Sequence, residues 1–146
     1  MNGAHTELTT RIRRLPERKL QRVLVAAPTV TAAATIAQAL RDAGYAVSIT
    51  GSDVLRDLRN HKAIELLVLD GSETPWTVGA TIDAVRSIHW ALPIVLISRP
   101  DPALRVEAER LGVEAILEAP VAAEDIRRAA TKIVPVVPEV ELDLAG

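Results

Sequence analysis

The apolar positions of this chain fall into five short strand-like segments, separated by stretches in which apolar residues recur at helical spacing. The strand segments are Val23-Leu24-Val25-Ala26-Ala27, Tyr45 to Thr50, Leu66-Leu67-Val68-Leu69, Ile94-Val95-Leu96-Ile97 and Ala115-Ile116-Leu117. Several are continuous apolar runs rather than alternations, which is the signature of parallel strands covered on both faces. The third run ends directly in Asp70, so one carboxylate is expected at the carboxyl end of a central strand, where open α/β sheets touch their ligands.

Between the strands, Val30, Ala33, Ala37 and Leu40 predict a first helix with Thr29 or Thr31 as its cap and Gly44 as its stop. Val54, Leu55 and Leu58 predict a short second helix, entered through Gly51 with Ser52 or Asp53 and ended by Asn60 and His61. Gly71-Ser72-Glu73-Thr74-Pro75 reads as a breaker-rich loop, and a third helix is expected from about Val78 to Trp90 with Ile82, Val85 and Ile88 inward. Asp101 caps a fourth helix with Pro102 at its first position, Leu104, Ala108 and Leu111 facing in and Gly112 ending it. A last helix is predicted over residues 122–134, with Ile126, Ala130 and Ile133 inside. Five strands alternating with five helices predict an α/β, doubly wound parallel sheet with helices on both faces.

Composition narrows the class further. A chain of 146 residues, 49% hydrophobic and 25% charged, suits one globular domain. No apolar run approaches the roughly 20 residues of a membrane helix, no secretory signal is evident, and there is no cysteine for a disulfide or thiolate site. A cytoplasmic protein is expected. The net charge of -2 argues against nucleic acid, although Arg11, Arg13, Arg14, Arg18, Lys19 and Arg22 crowd the first residues while Glu139, Glu141 and Asp143 mark the last. The expected organisation is a basic N-terminal tail or short helix over 1–20, a domain over 21–134, and an extended acidic tail over 135–146. His5, His61 and His89 have no zinc-site or dyad spacing, and no nucleophile elbow or phosphate-binding glycine loop appears, so no enzyme is expected.

From Arg22 to Val134 the sequence resembles the receiver domain of bacterial two-component response regulators. The marks are Arg22-Val23-Leu24-Val25, Ala43-Gly44-Tyr45-Ala46-Val47, the strand ending in Asp70, Leu92-Pro93-Ile94-Val95-Leu96-Ile97-Ser98, Leu111-Gly112-Val113-Glu114-Ala115-Ile116-Leu117, and Pro120. Their order and spacing are more specific than any one of them. The resemblance implies the flavodoxin-like (βα)5 fold with strand order 2-1-3-4-5, and makes Asp70 the equivalent of the phospho-acceptor.

The same resemblance implies a site that has lost parts. Receivers hold a divalent ion with the acceptor aspartate, an acidic pair closing the first strand and a backbone carbonyl, because magnesium takes hard oxygen ligands and neutralises an incoming phosphoryl group. Here the acidic pair is Ala26 and Ala27, so magnesium binding is expected to be weak or absent and no metal site is assigned. The lysine that pairs with the phosphoryl group is Ala119. Ser98 retains the hydroxyl that senses phosphate, whereas Ile116 replaces the aromatic switch residue. Pro75 and Gly79 each lie one position later than the family pattern places them, which implies a reshaped loop. Glu73, Asp101 and Glu118 are the carboxylates that could approach from other directions, and Arg99 is the cation that could neutralise Asp70. Trp76 is expected to pack against its own helix.

These features predict a stand-alone, degenerate receiver (a pseudo-receiver) working by protein contact, with an unidentified protein partner or a homodimer across the helix 4, strand 5, helix 5 face. Glu107, Glu109, Glu124, Arg105, Arg110, Arg127 and Arg128 supply mixed charge there. The alternatives are a phosphorelay carrier using Asp70 and a small-molecule sensor using the emptied pocket between Ala26, Asp70 and Ser98.

Overall fold

The computed structural model describes residues 20–50, 53–61 and 63–136. The expected basic segment up to residue 19 and the acidic tail from residue 137 lie outside the described residues. Five parallel strands form one sheet in the order β2-β1-β3-β4-β5, where β1 is Arg22–Ala26, β2 Ala46–Ile49, β3 Ile64–Asp70, β4 Ile94–Ser98 and β5 Ala115–Glu118. The helices are α1 (Val30–Asp42), α2 (Val54–Asn60), α3 (Pro75–Ile88), α4 (Pro102–Arg110) and α5 (Ala123–Ile133). This is the parallel sheet expected from the apolar segments, in the flavodoxin-like order that the receiver resemblance implied.

β3 lies in the middle of the sheet, and Leu66, Leu67 and Val68 are fully buried. Its side chains alternate between two cores. Leu67 and Leu69 pack with Leu24, Ile94 and Leu96 beneath α2, α3 and α4, while Leu66 and Val68 pack with Val23, Val25, Val95 and Ile97 beneath α1 and α5. A strand with apolar side chains on both faces has no side to turn to water, so both helical layers are required.

Local chemistry places the helix ends. The Thr29 hydroxyl accepts from the Ala32 amide, Asp53 from Arg56 and Asp101 from Leu104, each satisfying a first-turn donor. Gly44 and Gly112 take positive φ values of 104° and 77° just beyond α1 and α4, a conformation open to glycine without a Cβ clash. Two expectations change. Pro75 is not the end of a loop but the first residue of α3, where its fixed φ suits a helix and its missing amide proton costs nothing. Val30 is 88% exposed, and the inward stripe of α1 is instead Ala33, Ile36, Ala37 and Leu40. Position 30 precedes the first full turn, so helical spacing alone does not bring it over the sheet.

Three contacts close the domain at the amino ends of the strands. The Tyr45 hydroxyl donates to the Val134 carbonyl, and Gln21 Nε2 donates to the Pro135 carbonyl at 3.1 Å, so the chain leaving α5 is held against the start of β1 and β2. Val136 packs against Gly44 and the core beneath α1 and α5. On the other face the Arg86 guanidinium donates to the carbonyls of Leu92, Leu111 and Gly112, tying α3 to the turn between α4 and β5. A guanidinium satisfies three backbone acceptors at once, which one lysine ammonium would not do in the same planar geometry.

Burial pushes the Tyr45 phenol above its ordinary pKa. A folded-state value above the unfolded one adds stability that is complete below about pH 10 and is lost as pH rises through the folded value. Tyr45 is the single tyrosine of the chain, so ultraviolet absorbance reads its ionisation alone. Its titration is expected above that of free tyrosine. Tyr45→Phe should lower stability by about 1 kcal/mol in urea denaturation and remove the tyrosine-linked alkaline decline. A phenol that titrates at the free value would show that its burial is not kept in solution.

Gly71 makes the second prediction. It is buried directly after β3, its amide donates to the Ile97 carbonyl at 2.8 Å, and a Cβ added there would lie 2.2 Å from Val78 Cγ2 on α3. Gly71→Ala should cost about 1–3 kcal/mol through this overlap. Because Val78→Ala removes the clashing methyl, the double variant should lose less stability than the sum of the two single changes, measured as a double-mutant cycle.

Candidate functional site

Parallel strands end together, so the sheet brings its carboxyl ends to one edge. Register sets the neighbours there. Ala26 pairs with Leu69, which brings Ala27 level with Asp70; Asp70 pairs with Ile97, and Ser98 with Glu118. The Ala119 amide donates to the Ser98 carbonyl at 2.8 Å. Thus Ala27, Asp70, Ser98 and Ala119, which lie far apart in the sequence, share one rim of the sheet.

Asp70 is half-buried, and its carboxylate turns onto its own loop. Oδ1 accepts from the Ser72 amide at 3.0 Å and from the Ser72 hydroxyl at 2.6 Å. This Asx turn gives the charged oxygen two donors two residues away, a short charge-assisted bond among them. Among the described residues Oδ2 has no partner. Ser72 carries this arrangement, and it was not singled out in the sequence as a ligand of Asp70. The signal was an aspartate followed two positions later by a serine in a breaker-rich loop.

The remaining site positions bring little polar chemistry to this carboxylate. Ala26 is buried with only a methyl group, and Ala27 and Ala119 pack against the core beneath α1 and α5. Ser98 is 4% exposed, and its hydroxyl donates to the Arg99 carbonyl at 2.8 Å rather than to Asp70. Ile116 packs against the core beneath α2, α3 and α4. Arg99 is exposed and lies outside the ion pairs found among the described residues, so it does not neutralise Asp70.

The donor set does not fit a magnesium ion. The ion takes about six oxygen ligands in strict octahedral geometry and leans on carboxylates to displace its water, and Asp70 is the one carboxylate that closes a central strand, Glu118 closing the edge strand β5. The other three acids are placed elsewhere: Asp101 caps α4, Glu118 lies 3.9 Å from Arg105, and Glu73 is exposed. No group of three or more His, Asp or Glu side chains that could hold a metal occurs among the described residues.

Trp76 corrects an expectation. It lies on the first turn of α3, after the Asp70 loop, and is 77% exposed instead of packed on its own helix; Trp90, beyond the other end of α3, is 82% exposed. The inward stripe of α3 consists of Val78, Ile82 and Val85, and a ring at position 76 falls outside that arc.

No protein-family model matches this sequence, and no curated protein is significantly similar to it. Solved structures are similar in fold. A chemotaxis protein, CheY4 of Vibrio cholerae, superposes with a TM-score of 0.71 at 20% identity, over 80% of this chain and 100% of that one. A response regulator receiver domain from Clostridium thermocellum gives 0.70 at 19% identity, over 79% and 94%. A putative pilus assembly protein (cpaE) from Burkholderia thailandensis gives 0.67 at 24% identity, over 78% and 98%. With its strand order and its aspartate closing β3, the chain has the fold of the response-regulator receiver domain.

Proposed function

We propose that this chain is a receiver-type signalling module that acts by protein contact, and that Asp70 does not take phosphate by the usual magnesium-dependent route. The observation that carries the reading is the pair Ala26 and Ala27 at the end of β1, level with an Asp70 whose Oδ1 is already engaged by Ser72. Phosphoryl transfer to a carboxylate brings two anions together, and positive charge must offset their repulsion. Alanines at 26, 27 and 119 supply none. Ser98 keeps a hydroxyl, but the Ile116 side chain has no polar tip whose exchange would report a phosphoryl group.

The proposed contact surface is the edge formed by α4, β5 and α5. β5 is an edge strand, and Val106 on α4 is 67% exposed. The charges of this surface already pair within the chain: Arg105 with Glu109, Arg110 with Glu107, and Arg127 with Glu124 at 2.7 Å. The hydrogen bond from Arg127 holds the Glu124 carboxyl below the usual range. Paired charges at a rim contribute selectivity more than affinity, so the apolar position carries the affinity. Trp76 offers an additional aromatic anchor near Asp70.

Two experiments test this reading. Incubation with acetyl phosphate and magnesium, followed by intact mass measurement, should show no Asp70-dependent gain of phosphate in the wild type compared with Asp70→Ala. A stoichiometric gain lost in the variant would favour the phosphorelay alternative instead. Sedimentation analysis should show concentration-dependent dimerisation that Val106→Asp abolishes, with a stability change of about 0.5 kcal/mol or less, since the site is exposed. A wild-type chain that stays monomeric at all concentrations removes the homodimer and leaves the contact to a different protein.

A further inference from the structure

The outer edge of β2 lies beside the point where the chain leaves α5. Among the described residues β2 is paired on one side only, to β1. The Ala46 amide donates to the Gln21 carbonyl at 3.0 Å and the Thr50 amide to the Val25 carbonyl at 2.9 Å. In a parallel ladder of this phase Ala46, Ser48 and Thr50 turn their backbone groups to β1, while Val47 and Ile49 turn theirs to the open side. The Val47 carbonyl accepts there from Arg41 Nη2 at 3.3 Å. The amides of Val47 and Ile49 and the Ile49 carbonyl have no strand beside them among the described residues. On the face toward α1, Val47 packs against the core, and Ile49, two residues on and so on the same face, is left 44% exposed.

A segment suited to this edge follows in the same chain. Residues 139–144 read Glu-Val-Glu-Leu-Asp-Leu, alternating charged and apolar at every step, which is the pattern of a half-buried strand. The chain leading to it is already held beside β2. Tyr45 and Gln21 donate to the carbonyls of Val134 and Pro135, and Val136 packs against Gly44, two residues before β2 begins. Gly44 precedes Val47 by three residues and Val136 precedes Val140 by four, and the additional residue allows the sideways step of about 4.8 Å to a neighbouring strand. Pro138 falls in that connection, where no ladder donor is needed. Handedness agrees as well. α5 shares a core with α1 on one face of the sheet, so a strand beyond β2 reached through α5 crosses in the same right-handed sense as β1-α1-β2.

We propose that residues 139–144 add to the open edge of β2 as a sixth parallel strand, with Val140 beside Val47 and Leu142 beside Ile49. In this register the Val47 and Ile49 amides donate to the carbonyls of Glu139 and Glu141, and the Asp143 amide donates to the Ile49 carbonyl. Leu142 covers the exposed Ile49 and extends the core beneath α1. Glu139, Glu141 and Asp143 fall on the opposite face, where acids on the new edge oppose addition of another strand. The occupant is the chain's own segment and not that of a second copy, because a tether beginning at Gly44 gives it a high effective concentration at this edge. The pairing is separate from Asp70 and does not depend on the reading of that residue.

The chain has no cysteine, so an introduced pair tests the register directly. In the full chain carrying Ile49→Cys and Leu142→Cys the two Cα atoms fall within the roughly 4.4–6.8 Å that a disulfide spans. Oxidised glutathione should close that bond within one chain, read by intact mass. Ile49→Cys with Asp143→Cys places the second thiol on the other face and should close far less. In the unsubstituted chain, amide hydrogen exchange followed by NMR should find Val47 and Ile49 protected. Glu141→Pro, which cannot donate to a ladder, should make both exchange about tenfold faster or more, while the Ser48 amide, bonded to β1, stays as it was. The proposal is overturned if no intrachain disulfide forms with Cys at 142, if Cys at 143 closes as readily, if the bond joins two copies, or if Glu141→Pro leaves the exchange of Val47 and Ile49 unchanged.

Discussion

The double-sided burial of β3 is the constraint on which the rest of the structure depends. Its side chains go alternately to two cores, and neither face can be left open to water. A run of four apolar residues in a central parallel strand buries enough surface that exposing either side would cost several kcal/mol, at about 1.5–3 kcal/mol for each large side chain. Helices on both faces are therefore obligatory, and right-handed crossovers then leave few ways to connect them. More than one doubly wound order meets that requirement; this chain adopts β2-β1-β3-β4-β5, which delivers Asp70 to the rim beside Ala27 and Ser98.

Position and reactivity are separable at that rim. The fold supplies position through strand register, whereas reactivity needs charge, and charge comes from side chains that packing does not demand. Alanine at 26, 27 and 119 satisfies the sheet and the core equally well, so the scaffold is unaffected by their lack of polar groups. What the carboxylate of Asp70 does instead is local: it closes a turn by accepting two hydrogen bonds from Ser72. Gly71 lets that turn lie directly against Val78, where any side chain would collide. The aspartate thereby becomes part of the seating of α3.

The surface shows the same division. Arginines on α4 and α5 pair with glutamates and an aspartate three or four residues away, as helical spacing favours. Their charge is largely self-contained. Among the described residues, the features without internal partners are apolar or donor groups: Trp76 on α3, Trp90 beyond its end, Val106 on α4, and the buried Thr50 hydroxyl. Recognition by such a surface rests on desolvation and a few directed hydrogen bonds more than on long-range attraction.

Much of this was legible from residue order. Periodicity, breakers and caps are local signals: the apolar segments marked all five strands, Gly44 and Gly112 marked helix ends through the need for positive φ, and Asp101 with Pro102 marked the start of α4 to the residue. Ala26, Ala27 and Ala119 were visible as side chains without oxygen or nitrogen, which offer no ligand atom in any fold. What required the tertiary structure was direction and partnership. Val30 and Trp76 have apolar character but point away from the core, since exposure depends on where a helix begins relative to the sheet. The choice of Ser72 for Asp70, the Arg86 clasp on three carbonyls, and the unpaired hydroxyl of Thr50 depend on distances between atoms that no local pattern encodes. The sequence by itself determined the strands, the helix ends and which residues could carry charge; only the folded chain decided which apolar side chains are buried and which groups meet, because contact is a property of packing in three dimensions.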